Sequence, residues 1–131
     1  METFQVRTSG RVDFVDITPS INKLINDKKW KDGLLTVFVP HTTAGITINE
    51  NADPSVISDM KKMLEEIVPM HHGFTHLEGN SDAHIKTSLL GSSEQLIVEN
   101  GIIQLGTWQG IFLSDFDGPR QRKVWVKFIP A

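Results

Sequence analysis

The chain carries the stretch Leu34-Leu35-Thr36-Val37-Phe38-Val39-Pro40-His41. Residues 34–39 are almost all apolar, and most of them are β-branched or aromatic. A short apolar run of this kind predicts a strand in the middle of a sheet. Because Pro40 cannot donate to a strand ladder, the strand is expected to end there and to place His41 at its end.

Upstream of this strand, residues 4–17 predict a β-hairpin and residues 18–33 predict a helix. Apolar residues alternate with polar ones on both sides of Ser9-Gly10, which is the pattern of two strands joined by a turn. Thr18-Pro19 supplies a helix cap and a first-turn proline, and apolar residues then recur at helical spacing until Gly33 ends the helix.

Downstream, the alternation of Ile46 and Ile48 predicts another strand. Asp53-Pro54 repeats the cap-and-proline pattern, so a second amphipathic helix is expected to begin there and to end before Pro69. Residues 69–82 show no periodicity and contain three histidines. A loop of that length is often functional.

The last third of the chain is mostly β-rich. Residues 83–90 predict a short helix that Gly91 ends, and Asn100-Gly101 between two apolar runs is the strongest hairpin signal in the chain. Two further strands are expected around residues 111–113 and 124–126. The prediction is one α+β domain over residues 1–131, a largely antiparallel sheet or sandwich with two or three flanking helices.

Composition excludes several classes of protein. The chain has 131 residues, a formal net charge of −3 and no cysteine. Its basic residues are scattered, so neither a nucleic-acid nor a membrane partner is expected. The absence of cysteine excludes disulfides and thiolate ligands. Residues 1–7 have no apolar signal-peptide core, and we therefore expect a cytoplasmic protein.

Three histidines are the best candidates for chemistry: His41 at a strand end, His76 in the long loop and His84 at a helix start. Three neutral imidazoles with one open position suit catalytic zinc. Their spacing does not match a known zinc-helix pattern, and a polar loop also carries solvated histidines without any metal. Both interpretations remain open from the residues alone.

Polar residues near these histidines are candidates for proton transfer and substrate binding. Glu50, Glu78 and Asp82 are the candidate general acids or bases, although each also suits a solvated loop. Three uncharged residues are candidates for binding substrate: Thr42, Asn49 and Asn80. A fourth candidate is the turn residue Arg120, whose guanidinium suits a phosphate or carboxylate. These side chains equally suit turn hydrogen bonds or an exposed turn.

Three segments resemble the YjbQ-like family, described as secondary thiamine-phosphate synthase enzymes. They are residues 41–54 (HTTAGITINENADP), residues 78–91 (EGNSDAHIKTSLLG) and residues 105–111 (LGTWQGI), with Gly118-Pro119-Arg120 after them. The resemblance covers nearly the whole chain. It implies a compact α+β fold, a homotrimer and a histidine-lined site near subunit interfaces. His41, His76 and His84 occupy the family's histidine positions.

The family resemblance also implies an activity: joining a pyrimidine pyrophosphate to a thiazole phosphate, with loss of pyrophosphate. Departure of pyrophosphate is usually assisted by magnesium, whereas imidazole ligands favour zinc. We therefore expect a divalent metal, with zinc favoured, and a small phosphorylated substrate. A metal-dependent hydrolase of a small phosphorylated or carboxylated molecule would use the same residues, and a non-catalytic module that binds a small anion or a metal is the third interpretation.

Overall fold

Eight strands and three helices make up the protein, which a computed structural model describes over residues 1–131. The strands are β1 (Glu2–Arg7), β2 (Asp13–Asp16), β3 (Gly33–Phe38), β4 (Ala44–Glu50), β5 (Ser93–Glu99), β6 (Ile102–Ile103), β7 (Gln109–Asp115) and β8 (Gln121–Pro130). The helices are α1 (Thr18–Lys28), α2 (Pro54–Ile67) and α3 (Ser81–Leu90). None of them is long and apolar enough to cross a membrane.

The strands form two antiparallel sheets. The larger sheet has the order β1-β8-β3-β5-β6 and the smaller has the order β2-β7-β4. β3 lies between β8 and β5, so the prediction of a central strand from its apolar run is confirmed. With its three helices, the protein is a single small α+β domain, as predicted.

Of the two predicted hairpins, one is confirmed and one is wrong. β5 pairs with β6 across Asn100 and Gly101, which both have positive φ (53° and 76°), as a two-residue hairpin turn requires. The predicted hairpin over residues 4–17 does not form, because β1 pairs with β8 and β2 pairs with β7. Alternation identifies a strand with one buried face, but it does not identify the partner.

The helices follow the predicted order with different ends. α1 stops at Lys28 rather than at Gly33, because Lys29 takes a left-handed conformation (φ 56°). Thr18 does not cap α1; its hydroxyl accepts a hydrogen bond from the Ile111 N–H at 2.8 Å. The predicted cap of α2 is confirmed, since Asp53 Oδ1 accepts from the Ser55 N–H at 2.9 Å.

Two apolar clusters hold the layers together. The main core lies between the sheets, where side chains of β3 and β7 such as Leu35 and Leu113 pack with the buried face of α1. A second cluster on the other face of β7 joins it to α2 and α3; its buried members are Phe14, Ala83, Phe112 and Phe116. β7 is therefore covered on both faces, and residues 110–115 are all buried.

At the end of the main core a buried ion pair joins the two sheets. Arg122 of β8 donates to both carboxylate oxygens of Asp115 of β7, at 2.7 and 3.1 Å. The Thr8 hydroxyl donates to the same carboxylate at 2.7 Å, and Arg122 also donates to the Thr43 hydroxyl at 2.8 Å. Burial opposes ionisation of Asp115, but these hydrogen bonds, with one from the Asp117 N–H, hold the pKa of Asp115 below its usual range.

We expect Arg122→Met to lower the free energy of unfolding by about 3–5 kcal/mol, because it leaves the buried Asp115 carboxylate without its cation. Lys127→Met is the matched control, since Lys127 lies on the same strand with an exposed side chain and is expected to change stability by less than about 0.5 kcal/mol. Urea unfolding measures both variants. Equal losses would show that the ion pair does not stabilise the joint between the sheets.

Candidate functional site

His76 and His84 lie side by side. Their ring centres are 5.3 Å apart and the ring planes are nearly perpendicular, at 84°. His76 is exposed in the loop before α3, and His84 is half-buried in the first turn of that helix. The eight-residue separation in sequence is thus bridged by the turn at the start of α3.

The two imidazoles line a shallow surface cavity of about 350 Å³. Its other lining residues come from the same loop and helix; they are Phe74, Thr75, Ser81 and Ile85. A smaller cavity of about 150 Å³ adjoins it, shares Phe74 and His76, and also contacts His71 and His72. This part of the surface therefore combines imidazoles, hydroxyl groups and one aromatic ring.

His41 has a different environment. It follows β3, and its Nε2 accepts a hydrogen bond from the Lys123 N–H of β8 at 2.8 Å. Burial lowers the pKa of His41, and the positive charge of Arg122 lowers it further. No three His, Asp or Glu side chains of the chain are grouped so that they could hold a metal ion. The three-histidine metal site accordingly stays a prediction, and within one chain only His76 and His84 are in contact.

Asp82 is the candidate general acid or base with the most hydrogen bonds. It is fully buried, and it accepts from two nitrogens of Arg11 at 2.9 and 3.0 Å and from Lys86 Nζ at 3.2 Å. Burial opposes its ionisation, but the hydrogen bonds from Arg11 and Lys86 outweigh burial and lower the pKa of Asp82. The carboxylate thus joins α3 to the segment before β2 and also binds Lys86 one turn further along α3.

Glu78 and Glu50 lie in separate surroundings. Glu78 is exposed in the loop that carries His76, and its side chain has no hydrogen-bond partner in the protein. Glu50, at the end of β4, accepts from the Asp53 N–H at 3.2 Å and lines a different cavity of about 580 Å³ that contains no histidine. Of the three candidate carboxylates, Glu78 is therefore the one that is two residues from His76 and has no hydrogen-bond partner in the protein.

The other polar candidates fall into two groups. Asn49 Oδ1 accepts from the Glu50 N–H at 2.8 Å, and Thr42 is exposed. Asn80 and Arg120, in contrast, meet at one carboxylate: Asp117 Oδ2 accepts from Asn80 Nδ2 at 2.8 Å and from Arg120 Nη2 at 2.9 Å. The structure thus brings together two candidates that are 40 positions apart in the sequence.

Sequence reasoning missed the charged residues that fix these positions: Arg11, Asp115, Asp117 and Arg122. A signal existed for two of them. Arg122 is in phase with Val124 and Val126, which face the core, and Asp115 is in phase with the core residues of β7. Charges at inward positions of two strands predict a buried ion pair. Arg11 and Asp117 lie in loops, where no such periodicity operates.

Comparisons with known proteins agree with this fold. Residues 2–131 match the family described as UPF0047 protein YjbQ-like. UPF0047 protein MJ1081 of Methanocaldococcus jannaschii is 56% identical over 126 residues, which cover 96% of this chain and 91% of that protein. UPF0047 protein YugU of Bacillus subtilis is 45% identical over 130 residues, which cover 98% of both chains.

A solved structure shows the same architecture. The crystal structure of an uncharacterised conserved protein of the YjbQ/UPF0047 family from Clostridium acetobutylicum superposes with a TM-score of 0.95 at 52% identity. The superposition covers 98% of this chain and 100% of that chain. The arrangement of sheets and helices described above is thus shared over the whole length of both chains.

The contacts of His41 predict a pH dependence of stability. Its pKa is lowered from the ordinary value of 6.5 in the folded state, so the unfolded chain takes up a proton first as the pH falls. The free energy of unfolding is therefore expected to be unaffected above that value and to decrease as the pH falls through the folded pKa. His41→Gln is expected to remove this part of the fall in urea-unfolding stability below pH 6.5, and His72→Gln is the control. A variant with the wild-type pH dependence would contradict this account.

Proposed function

The chain belongs to the UPF0047, YjbQ-like family, and on that premise we propose that it is an enzyme that acts on a small phosphorylated molecule. His76 and His84 would hold a divalent metal ion, and Glu78 would move the proton. The observation that carries the proposal is the contact between the two imidazoles at the surface cavity.

The geometry of the histidine pair suits zinc. Two imidazoles that share a tetrahedral zinc ion, each with a Zn–N bond of about 2.1 Å, have ring centres about 5 Å apart. The separation of 5.3 Å between the ring centres of His76 and His84 is close to that value. A zinc ion in this position would act as a Lewis acid toward a phosphoryl oxygen.

Two ligands are too few for a stable zinc site, so further ligands must come from outside the chain. Substrate, water and a neighbouring subunit are the available sources. A homotrimer, if it forms, would supply the last of these, and the larger sheet has an outer face that no helix covers. Leu34, Ile97 and Ile129 are about half exposed on that face, at 43, 53 and 54%. Burial of such a patch in a subunit interface is favourable.

Magnesium fits these residues less well. It prefers carboxylate oxygens, whereas both oxygens of Asp82 and one oxygen of Asp117 are engaged by cationic or amide groups of the chain. Imidazole nitrogens favour zinc instead. A phosphorylated substrate nevertheless brings its own oxygens, so magnesium bound to a pyrophosphate remains the alternative for the synthase reaction.

Thiamine-phosphate formation from a pyrimidine pyrophosphate and a thiazole phosphate is the specific reaction that we propose to test first. Hydrolysis of a small phosphate ester would need the same metal-binding histidines and the same carboxylate. In hydrolysis Glu78 would accept a proton from the attacking water, whereas in the synthase reaction the attacking thiazole nitrogen carries no proton and Glu78 could only donate one to the departing pyrophosphate. A protein that binds metal but turns over neither kind of substrate would be a binding module.

Metal analysis of purified variants tests the histidine pair. We expect His76→Ala and His84→Ala to remove most of the zinc taken up by the wild-type protein, because each leaves a single imidazole. His71→Ala and His72→Ala are matched controls in the same loop and should keep it. If His84→Ala binds as much zinc as the wild type, the histidine pair is not the metal site.

Turnover tests the carboxylate separately. Glu78→Gln is expected to keep the metal and to lower thiamine-phosphate formation, or phosphate-ester hydrolysis, by roughly 10² to 10⁴, as loss of a general acid or base does. Glu50→Gln, at a cavity without histidine, is the control and should have a small effect. Equal losses of activity in the two variants would show that Glu78 is not the residue that transfers the proton.

Light scattering tests the assembly. A mass of three chains at micromolar concentration is expected, and Ile97→Asp on the uncovered face should shift it toward one chain, because a charge at an apolar interface is costly. Met63→Asp, on α2 and about as exposed as Ile97 (55 against 53%), is the control for an added negative charge away from that face. A wild-type protein with the mass of one chain would exclude the trimer.

A further inference from the structure

We propose that the cavity between the first half of α2 and the smaller sheet binds a small organic cation with a flat apolar body. It is a second site, because it shares no residue with the cavity at the histidine pair. Three features of the structure carry the inference: two buried aromatic rings, a helix that does not fill the space beside them, and an excess of carboxylates around the opening.

The inner wall of the cavity is aromatic. Phe14 of β2 and Phe112 of β7 belong to the apolar cluster against which α2 packs, and they are only 8 and 5% exposed. The cavity has a volume of about 580 Å³. Small-molecule sites typically measure about 300–1,000 Å³ and are lined mainly by apolar and aromatic side chains. A flat apolar group therefore has both the space and the contact surface that it needs here.

Helix α2 leaves this space open. Its sequence is amphipathic, yet none of its residues is fully buried. Ile57 lines the cavity and is half-buried, and the other α2 residues of the lining are Pro54, Ser58 and Lys61, none of which is a large apolar residue. A ligand in the cavity would cover the exposed part of Ile57, which is favourable.

Negative charge predominates around the cavity. Its lining contains three carboxylates, Asp16, Glu50 and Asp53, and one cation, Lys61. Glu50 Oε2 accepts from the Asp53 N–H and Asp53 Oδ1 accepts from the Ser55 N–H, but the second oxygen of each carboxylate has no partner in the protein. Two carboxylate oxygens are thus available to a cationic group of a ligand.

Asn51 holds one side of the cavity in place. Its N–H donates to the Trp108 carbonyl at 2.9 Å, and its Nδ2 donates to Asp16 Oδ2 at 3.3 Å. A Cβ at position 110 would lie 2.6 Å from Asn51 Nδ2, so Gly110 is required for this side chain to lie against β7. Asp16 also accepts from the Thr18 N–H at 2.9 Å. The charge of Asp16 is therefore fixed by hydrogen bonds at the side of the cavity.

These features together define the class of ligand. An aromatic ring with an amidinium or ammonium group would place the ring against Phe14 and Phe112 and the cation near Glu50 and Asp53. An anion would meet three like charges, and a metal ion would gain nothing from the apolar wall.

Benzamidine, a phenyl ring with an amidinium group, tests the site in an NMR titration of the wild-type protein. Saturable shifts of the Phe14, Ile57 and Phe112 amides are expected. Benzamide lacks the charge and the guanidinium ion lacks the ring, so each is expected to bind at least about tenfold more weakly than benzamidine.

Substitutions on α2 test the contribution of charge. Asp53→Asn removes a negative charge but keeps the helix cap, because asparagine caps as well as aspartate does; it should weaken benzamidine binding about two- to fivefold. Lys61→Gln should strengthen it by a similar factor, since it removes a like charge. Asp59→Asn is the matched control, because Asp59 lies on the same helix and lines a different cavity.

Three results would each exclude the site. They are the absence of saturable shifts at Phe14 and Phe112, guanidinium binding as tight as that of benzamidine, and equal benzamidine affinity in Asp53→Asn and Asp59→Asn. Neither metal nor phosphate enters the titration, so its outcome is independent of zinc binding at His76 and His84.

Discussion

The ion pair between Asp115 and Arg122 is the contact on which the arrangement of the two sheets depends. One partner lies on β7 of the smaller sheet and the other on β8 of the larger sheet, and both are almost completely buried. Removing two charges from water is costly unless each lone pair and donor is satisfied. Here Thr8 and Thr43 satisfy part of that requirement, so the segments after β1 and before β4 are held at the same place.

This joint also positions the candidate sites. Asp117, two residues after Asp115, accepts hydrogen bonds from Arg120 and from Asn80, the residue before α3. His41 lies against Lys123, next to the buried arginine. Of the histidine pair, His76 lies in the loop of residues 71–79, which is exposed throughout, and His84 is half-buried near the start of α3. The structure thus combines a buried, hydrogen-bonded end of the sheets with an exposed loop.

Patterns that depend on neighbouring residues were readable from the sequence. The apolar run of β3, the Asn100-Gly101 turn and the Asp53 cap each act locally, and the structure confirms all three. Strand partners were not readable, because alternation around Ser9-Gly10 fits any sheet with one buried face. For the site, the residue types and their positions in the chain indicated the histidines and Arg120, whereas the residues that hold them in place could be identified only from three-dimensional contacts. Arg122 nevertheless alternates in phase with Val124 and Val126, so the pattern of the strand predicted that Arg122 is buried although it is charged.

The pairing of β1 with β8 has a consequence for how the chain folds. Residues 2–7 lie opposite residues 121–126, so the larger sheet gains its β1 edge only after almost the whole chain has been made. Contacts between segments so distant in sequence are slow to form, and domains dominated by them fold in roughly milliseconds to seconds. During synthesis on the ribosome, β1 therefore stays unpaired until β8 has been made, and its unpaired backbone groups can then associate with other chains.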